Sequence, residues 1–365
     1  MTMLRILHVV THMNRGGLET MLMNYYRQID RNKIQFDFLV HRYYRADYDD
    51  EIESLGGIIY RLPVLNPLDS NYRNALSSFF DDHPEYQIIH VHQDCMSSVI
   101  LKEAGKHHVK VRIAHSHSKS QDRNWKYPIK LYYKKDISRY ATDLFACNEE
   151  AGEWMFNGAS FTIVKNAVNA EKYRFNLSVR QKARAELGVQ SNQLVIGHVG
   201  RIDEVKNHRF LVEVFKEVLK QKDAILLLVG RGDLEEEIRK SVETSGIKDQ
   251  VIFAGLRNDV DCLLQAMDVF VFPSLYEGLP MSLVEAQASG LPCVISDQVS
   301  PECMITKNTV MMSLKQSPAE WADQVISFSE LPREDTYNAI VESGFDIKKN
   351  AEELQEFYFS AANRE

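Results

Sequence analysis

The segment SLYEGLPMSLVEAQASG holds two glutamates, Glu277 and Glu285, on either side of a Gly-Leu-Pro step. The run VFVFPS before it is typical of a buried strand. The run after it predicts a helix, with Pro280 as the first helical residue and Gly290 as the left-handed residue that ends it. A helix that begins at the carboxyl end of a strand offers unpaired N–H groups and the positive end of a dipole. The segment therefore predicts a phosphate site.

The two carboxylates need a different partner, because a phosphate would repel them. Glu277, just before the helix, and Glu285, in its second turn, can accept hydrogen bonds from hydroxyl groups. A ligand with a sugar, a diphosphate and a ribose in line satisfies all three features, and such a ligand is a sugar nucleotide. Two glutamates alone would favour solvated side chains at an ordinary helix start; the Pro-Ser before them and the Glu-Ala-Gln-Ala-Ser-Gly-Leu-Pro around the second favour the ligand site.

Short runs of Val, Ile, Leu and Phe alternate with amphipathic stretches along the chain, which predicts βαβ units and parallel sheets buried on both faces. The predicted strands are RILHVV, QFDFLV, GIIYRL, QIIHVH, VKVRIAHS, DLFAC and FTIVKN, then LVIGHVG, AILLLVG, QVIFAG, DVFVFPS and PCVIS. We expect an α/β protein of two Rossmann-like, doubly wound domains that face a central cleft. The expected domains are residues 1–170 and 171–346, with a last helix over 347–365 packing back on the first.

Composition narrows the classes of protein. A chain of 365 residues suits two domains, each with its own core. The net charge of -8 argues against nucleic-acid binding, and the five scattered cysteines indicate a reducing compartment. The first segment reads as a strand and not as a signal peptide, and no apolar stretch approaches the ~18 residues of a membrane span. We expect a cytoplasmic protein that could lie on the inner face of the cell membrane.

Several segments together resemble a known family. The run FVFPSLYEGLPMSLVEAQASGLPCVIS resembles the Glu-seven-residues-Glu signature of glycosyltransferase family 4, whose members are retaining enzymes of the GT-B fold. HVVTHMNRGGLETMLMNYYRQI is similar to that family's first strand and Gly-Gly-x-Glu loop, and GHVGRIDEVKNHRFLVEVF to its Gly-Arg…Lys-Asn segment. The resemblance covers nearly the whole chain and is greatest for bacterial capsular and exopolysaccharide glycosyltransferases. In this family the second domain binds the nucleotide sugar and the first binds the acceptor.

The resemblance also implies roles for single residues. Arg201 and Lys206 would stabilise the negative charge on the departing diphosphate. Glu277 would face the donor sugar near the reacting carbon, and His117 would lie near that sugar. Leu256 and Arg257 would lie beside the base. The residues implied to bind the donor are Gly17, Leu256, Arg257, Glu277, Gly278, Leu279, Pro280 and Glu285.

Two glycines, Gly16 and Gly17, end the loop after the first predicted strand. Without a Cβ, Gly17 lets the backbone approach a ligand closely, although a plain glycine turn explains the pair equally well. The resemblance places this loop over the donor diphosphate and the acceptor, so that Gly16 is an acceptor-side candidate.

Four histidines form two His-x-His pairs, His90 with His92 and His115 with His117, at the carboxyl ends of predicted strands. Alternation along a strand points each pair to one face. Zinc ligation and the lining of a polar cleft are both open, and the cleft is favoured because no cysteine or acid completes a ligand set. By resemblance His117 is the expected cleft histidine, with His115 next and His92 beside them.

No Asp-x-Asp pair stands at the end of a predicted strand. We therefore expect no metal, with the cations and a helix dipole in its place. No cofactor is expected; the donor is a nucleotide-diphosphate sugar, a UDP-sugar in preference to a GDP-sugar.

Residues 119–139 hold seven basic and two acidic residues with aromatic residues between them. Such a segment suits an anionic membrane surface, and hence a lipid-linked glycan acceptor. A solvated helix that packs its tyrosines on the sheet is an equal alternative. The residues concerned are Arg123, Trp125, Lys126, Lys130, Lys134 and Lys135.

The predicted activity is metal-independent, retaining transfer of a hexose or N-acetylhexosamine to a glycan acceptor in capsular or exopolysaccharide biosynthesis. A sugar-nucleotide 2-epimerase shares the fold but should lack the Glu-Gly-Leu-Pro…Glu arrangement. A catalytically silent nucleotide- or membrane-binding partner of a polysaccharide assembly complex is the other alternative. The presence of Arg201, Lys206, Glu277 and Glu285 argues against it.

Overall fold

A computed structural model describes residues 3–118 and 127–364 and divides the chain into two compact units. The first unit comprises Met1–Ala167 and Ile347–Glu365, and the second comprises Val168–Asp346. The chain therefore leaves the first unit once and returns to it with its last helix.

Each unit contains one sheet. The strands of the first unit are β1 (Leu4–Val10), β2 (Ile34–Val40), β3 (Ile59–Arg61), β4 (Ile88–Val91), β5 (Val111–Ser116), β6 (Asp143–Ala146) and β7 (Thr162–Ile163). The strands of the second unit are β8 (Leu194–Val199), β9 (Ala224–Val229), β10 (Val251–Gly255), β11 (Val269–Phe272), β12 (Cys293–Ser296) and β13 (Thr309–Met312).

Helices connect the strands in both units. Those of the first unit before the crossing are α1 (Gly17–Gln28), α2 (Asp49–Ser54), α3 (Ser70–Asp82), α4 (Ser97–Lys106), α5 (Tyr127–Lys134), α6 (Ile137–Tyr140) and α7 (Glu149–Phe156). Those of the second unit are α8 (Ala170–Tyr173), α9 (Leu177–Glu186), α10 (His208–Leu219), α11 (Glu235–Thr244), α12 (Val260–Ala266), α13 (Met281–Ala288), α14 (Pro318–Ser329) and α15 (Tyr337–Glu342). The last helix, α16 (Ile347–Ala362), belongs to the first unit.

Strand order in both sheets reverses at one point. The first sheet runs β3-β2-β1-β4-β5-β6-β7 and the second β10-β9-β8-β11-β12-β13, and all the pairs of strands are parallel. The chain thus winds outward in one direction, returns to the middle, and winds outward in the other. At the reversal the loops after two adjacent strands diverge to opposite faces, which leaves a crevice at the carboxyl ends where ligands bind in such sheets.

Hydrophobic helices cover both faces of each sheet. One core of the first unit joins Phe36 and Phe38 of β2 to Tyr26 of α1 and to Leu354 and Tyr358 of α16. A second core lies on the opposite face, and two further cores flank the sheet of the second unit. The near-continuous apolar strands follow from this double coverage.

The predicted fold class of two parallel, Rossmann-like sheets is confirmed. The helical periodicity predicted for the last stretch is confirmed by α16. Strand β13 and several short helices, α2 and α6 among them, were not predicted. A helix of four to six residues is too short to show the helical period. Within the described residues, no helix has both the length and the hydrophobicity that crossing a bilayer requires.

One glycine contact fixes the loops at the carboxyl edge of the second sheet. Gly230 follows β9 with φ +135, and a Cβ built on it would lie 2.0 Å from the carbonyl oxygen of Gly200. Only glycine allows the loops after β8 and β9 to approach this closely.

We predict that Gly230→Ala lowers the midpoint of thermal unfolding of the second unit by several degrees. The strained backbone alone costs on the order of 1–3 kcal/mol, and the collision with Gly200 adds to it. Gly246→Ala is the matched control, because Gly246 also has a positive φ of +70 but has nothing within 4 Å of its Cβ position. Equal losses in the two variants would contradict the importance of the contact.

Candidate functional site

The loops after β8 and β11 meet at the point where strand order reverses in the second unit. The amide of Leu275 donates to the carbonyl of Val205 at 2.8 Å, and the side-chain amide of Asn207 donates to the carbonyl of Pro273 at 3.1 Å. These bonds hold the loop that carries Lys206 against the loop that carries Glu277.

Lys206 and Glu277 form an ion pair across the two loops. The Lys206 ammonium also lies 4.7 Å from the centre of the Phe272 ring. Both charged side chains are largely buried, with 14% and 21% of their surfaces exposed. Their attraction is therefore stronger than that of a surface pair. The structure thus brings together two residues that are 71 positions apart in the sequence.

The backbone of Glu277 is fixed on its other side by the loop after β12. Its amide donates to the carbonyl of Gln298 at 3.3 Å, and its carbonyl accepts from the amide of Ser300 at 3.1 Å. The thiol of Cys303 donates to the carbonyl of Gly278 at 3.2 Å. The carboxylate therefore projects from a loop held at several points.

The predicted helix start needs one correction. Pro280 has an extended backbone, with φ -73 and ψ 115, and it precedes the helix; Met281 is the first helical residue of α13. Pro280 accepts the first helical hydrogen bond, from the amide of Leu283 at 3.0 Å. Gly278 and Leu279 form the turn before it, and no atom lies within 4 Å of a Cβ built on Gly278. Space for a ligand is therefore open beside Gly278.

The other end of α13 agrees with the prediction. Gly290 has φ +69, and a Cβ built on it would lie 2.2 Å from the carbonyl oxygen of Glu334. Glycine is therefore required there both by the left-handed conformation and by the close approach of the chain.

Glu285 lies in the second turn of α13, where burial raises the pKa of its carboxyl to about 7. A hydrogen bond from Tyr173 of α8 and the charge of Lys172 oppose this shift without cancelling it. Lys172 itself is paired with Asp261 at 2.9 Å. Glu285 is thus poised between its neutral and charged forms near neutral pH.

The other predicted donor residues are more exposed. Arg201 follows β8 and pairs with Asp233 at 2.7 Å, with 62% of its side chain exposed. Leu256 follows β10 and is 75% exposed, and Arg257 beside it pairs with Asp259 at 2.6 Å. All three lie on loops at the carboxyl edge of the same sheet, and the two arginines pair with carboxylates other than Glu277.

In the first unit, the glycine loop is shaped by the carboxylate of its own Gly-Gly-x-Glu motif, Glu19. Gly16 caps α1 and Gly17 is its first residue. A Cβ on Gly16 would lie 2.3 Å from Oε2 of Glu19, whereas nothing lies within 4 Å of one on Gly17. Glu19 is 3.8 Å from His12, and burial raises the pKa of its carboxyl. The side of Gly17 is therefore open and the side of Gly16 is filled by Glu19.

Five histidines form a cluster on one face of the first sheet, here called the histidine cluster. Its members are His8 of β1, His90 of β4, His92 just after β4, His115 of β5 and His117 just after β5. The first four are at most 4% exposed and His117 is partly exposed. His92 and His115, expected to line a cleft, are thus buried, because strand alternation places them on the face that α1 and α16 cover.

The rings of the histidine cluster are hydrogen-bonded in two series. Nδ1 of His8 lies 3.1 Å from Nε2 of His92, and Nδ1 of His92 lies 2.8 Å from Nε2 of His117. Separately, the hydroxyl of Tyr358 lies 2.7 Å from Nδ1 of His90, whose Nε2 lies 3.1 Å from Nδ1 of His115.

Burial keeps the histidine cluster neutral. It lowers the pKa of His8 and of His117 to about 3, and it lowers the pKa of the other three well below the ordinary value, with further lowering by neighbouring imidazoles. Ring nitrogens of His8, His90 and His92, and of His92, His115 and His117, lie within 4.8 Å of one another, close enough to hold a metal ion. The short contacts between the rings are, however, those of hydrogen bonds.

The basic segment is described only in part. Arg123, Trp125 and Lys126 lie outside the described residues. Lys134 donates to the side chain of Asn157 at 3.3 Å and lies 4.5 Å from the ring centre of Trp154. Its ammonium group therefore binds residues of its own unit. Lys135 is exposed, and Lys130 lines a pocket of about 350 Å³ together with Arg42, His41, Gln93 and Cys95.

Comparison with known proteins settles the family. Residues 179–346 match the family described as glycosyl transferases group 1. EpsF of Bacillus subtilis, itself only assigned as a glycosyltransferase, is 36% identical over 372 residues, which cover 97% of this chain and 96% of that protein. This chain belongs to the group 1 glycosyltransferases.

Two further relatives have names that state a role, and a solved structure shares the fold. The capsular polysaccharide biosynthesis glycosyltransferase CapH of Staphylococcus aureus is 22% identical over 98% of this chain and 99% of its own. A UDP-Gal:α-D-GlcNAc-diphosphoundecaprenol α-1,3-galactosyltransferase of Escherichia coli is 28% identical over 54% of this chain and 53% of its own. HepE of Anabaena, solved with UDP, has a TM-score of 0.80 at 18% identity, over 98% of this chain and 100% of its own.

Three residues described above escaped sequence reasoning. In the second unit, Tyr173 contacts Glu285 from a different helix. His8 and Tyr358 belong to elements far from the paired histidines in sequence. The only signal for His8 was its position in the first strand, in phase with the histidines of β4, which pairs with β1.

The raised pKa of Glu285 predicts a pH-dependent stability. Between its unfolded pKa near 4.5 and its folded pKa of about 7, the folded state binds more protons than the unfolded state. This group therefore lowers stability as pH rises through that window. Glu285→Gln, which stays neutral, should be more stable than the parent by about 3 kcal/mol at pH 8 and nearly equal to it at pH 4.5. Thermal unfolding across pH measures the difference, with exposed Glu236→Gln as control; an offset that does not change with pH would contradict it.

Proposed function

We propose that this glycosyltransferase moves a hexose or N-acetylhexosamine from a UDP-sugar to a lipid-linked glycan acceptor, with retention at the anomeric carbon and without a metal ion. The product is a precursor of a capsular or exopolysaccharide. The observation that carries the proposal is the ion pair of Lys206 and Glu277 beside the start of α13, at the reversal of strand order in the second unit.

The ion pair supplies the two groups that a sugar nucleotide requires. A diphosphate arriving at this edge offers Lys206 a stronger partner than one carboxylate, because it carries more negative charge. As the ammonium turns to the diphosphate, Glu277 becomes available to accept hydrogen bonds from hydroxyls of the donor sugar. The amides at the start of α13 and the open space beside Gly278 suit the phosphate oxygens.

The residues of the second unit fit the remaining parts of the donor. Glu285, held near its midpoint of ionisation by burial, accepts hydrogen bonds from the ribose hydroxyls. Arg201 adds positive charge at the carboxyl edge, and the exposed Leu256 and Arg257 flank the base.

The chemistry assigned to this site is a front-face displacement. The bond between the anomeric carbon and the diphosphate oxygen breaks as the acceptor oxygen bonds to that carbon on the same face. The proton of the acceptor hydroxyl passes to the departing diphosphate. Lys206, Arg201 and the helix dipole stabilise the negative charge that develops on the leaving diphosphate. Fixed charges and dipoles contribute most to catalysis where charge develops in the transition state. His117 of the first unit binds an oxygen of the substrate.

Names of relatives and neighbours support the donor and acceptor classes. The Escherichia coli relative uses a UDP-sugar and a diphosphoundecaprenol-linked acceptor, CapH serves capsular polysaccharide synthesis, and HepE was solved with UDP. The same classes are proposed for this chain.

Substitutions at Lys206 and at Glu277 should have different effects on the binding of UDP and of UDP-sugars. Lys206→Ala should weaken UDP and UDP-sugar alike and lower kcat/KM by about 100-fold or more. Glu277→Gln should leave UDP binding unchanged or tighter, because Lys206 loses its competing partner, and should weaken only the sugar-bearing donor. Titration calorimetry with UDP and with a panel of UDP-sugars measures the split, with Lys216→Ala on α10 as a control of equal charge change.

Product analysis then decides among the functions. Nucleotide release with retained anomeric configuration, in the presence of a chelator, is the expected result. A sugar changed at C2 would indicate an epimerase, and no activity with any donor would indicate a binding protein. An inverted product, or loss of activity on chelation, would contradict the mechanism.

A second part of the proposal places the first unit on an anionic membrane. A pocket of about 330 Å³ between α3, α4 and α5 is lined by Arg73, Lys102 and the aromatic Tyr133. Ser98 also lines it, and its hydroxyl is buried without a hydrogen-bond partner in the described part of the chain. Cations and an unsatisfied hydroxyl suit a lipid phosphate.

Exposed apolar side chains surround this pocket. Tyr132, which lines it, is 66% exposed; Leu68, next to the lining residue Pro67, is 74% exposed; and Ile129, one turn earlier on α5, is 39% exposed. Apolar and aromatic groups beside cations are typical of surfaces that rest on the membrane interface.

Sedimentation with liposomes tests this surface. The protein should sediment with vesicles containing phosphatidylglycerol and not with phosphatidylcholine alone. Arg73→Gln with Lys102→Gln should reduce binding by about tenfold or more, since each basic residue contributes about 1 kcal/mol. Lys182→Gln with Lys248→Gln removes the same charge from the second unit and should change little. Binding that ignores lipid charge, or equal losses in both pairs, would contradict the proposal.

A further inference from the structure

The hydrogen bonds of the series His8–His92–His117 must all be donated in the same direction along the series. A neutral imidazole has one N–H donor and one bare acceptor nitrogen. Because His92 is bonded through both nitrogens, at 3.1 Å to His8 and 2.8 Å to His117, it must donate to one neighbour and accept from the other. Choosing the proton position on one ring therefore fixes it on all three.

The buried end of the series makes that choice. Nε2 of His8 is buried and has no hydrogen-bond partner in the described part of the chain. A buried N–H without a partner is rarer and more costly than a bare acceptor, so the proton of His8 lies on Nδ1. His8 then donates to Nε2 of His92, and Nδ1–H of His92 donates to Nε2 of His117.

We propose that His8 and His92 are positioning residues that hold His117 as a neutral imidazole with its proton on Nδ1, so that His117 offers a hydrogen-bond donor, and not a base, to an oxygen of the substrate. Nε2 of His117 is committed to His92, and its Nδ1 has no partner among residues 3–118 and 127–364. The inference rests on the proposed function only for the identity of the substrate oxygen that His117 binds.

The surroundings do not compete with this order. Within residues 3–118 and 127–364, the titratable groups that face His117 are His92 and His115, with His8, His90 and Tyr358 behind them. No carboxylate of this described part raises the pKa of a member of the histidine cluster, and burial lowers the pKa of all five. The series of Tyr358, His90 and His115 does not include His117, so it provides a built-in comparison.

Nitrogen-15 NMR of the full chain with labelled histidine reads the proton positions directly, because protonated and bare ring nitrogens differ widely in chemical shift. His117, assigned by loss of its signals in His117→Gln, should be protonated on Nδ1 at neutral pH. In His92→Phe, which offers no N–H to Nε2, the neutral ring of His117 should carry its proton on either nitrogen. His92→Asn, whose amide nitrogen takes the place of Nδ1, should preserve the Nδ1 proton, as should His90→Phe, which breaks only the other series.

Activity gives a second readout. In His92→Phe, neutral His117 can place its proton on Nε2 and lose the donor that faces the substrate. The kcat/KM of His92→Phe at pH 8 should therefore lie about tenfold below that of the parent, the value of one hydrogen bond. His92→Asn, which restores the donor to Nε2, and His90→Phe should both keep the parent value.

Three results would overturn the inference. These are a proton on Nε2 of His117 in the parent protein, an activity of His92→Phe equal to that of the parent, and stoichiometric metal in the purified protein. The NMR measurement on the parent needs no variant and no activity, so failure of the proposed function and failure of this inference are distinguishable.

Discussion

The ion pair of Lys206 and Glu277 depends on the reversal of strand order in the second unit. Because β8 and β11 are neighbours in the sheet but separated in sequence by two βα units, their loops diverge to opposite faces and leave a crevice between them. Gly230, the bond of Leu275 to Val205 and the bonds of Glu277 to the loop after β12 hold this crevice in shape. Two charges that are largely buried must compensate each other until a ligand with both negative charge and hydroxyl groups replaces the pairing.

The first unit uses the same reversal for a different purpose. Between β1 and β4 it brings His8 beside His90 and His92, and β5 adds His115 and His117. Helix α16 returns across the chain to cover this face and contributes Tyr358. The result is a neutral, ordered set of imidazoles. The second unit thus presents charge, and the first presents a partly exposed His117 whose ring nitrogens are not equivalent.

Much of this could be read from the sequence, and the limits have physical causes. Near-continuous apolar strands predicted the two parallel sheets, and the flanking residues of Glu277 and Glu285 predicted a helix start at a strand end. Pro280 was placed one position too far into the helix, since proline is compatible with both positions. Lys206 and Arg201 were expected to act jointly at the diphosphate. The ion pair of Lys206 with Glu277 could not be predicted, because it follows from the order of strands in the sheet and not from spacing along the chain. His8 and Tyr173 were missed because the fold, and not spacing along the chain, brings them to their partners.

The most direct test of the central claim is a crystal structure of the protein with a non-hydrolysable UDP-sugar. The account predicts that the ammonium of Lys206 has left Glu277 and contacts the diphosphate at the start of α13, with the carboxylate of Glu277 on hydroxyls of the sugar. An intact Lys206–Glu277 pair with the nucleotide bound elsewhere would contradict it.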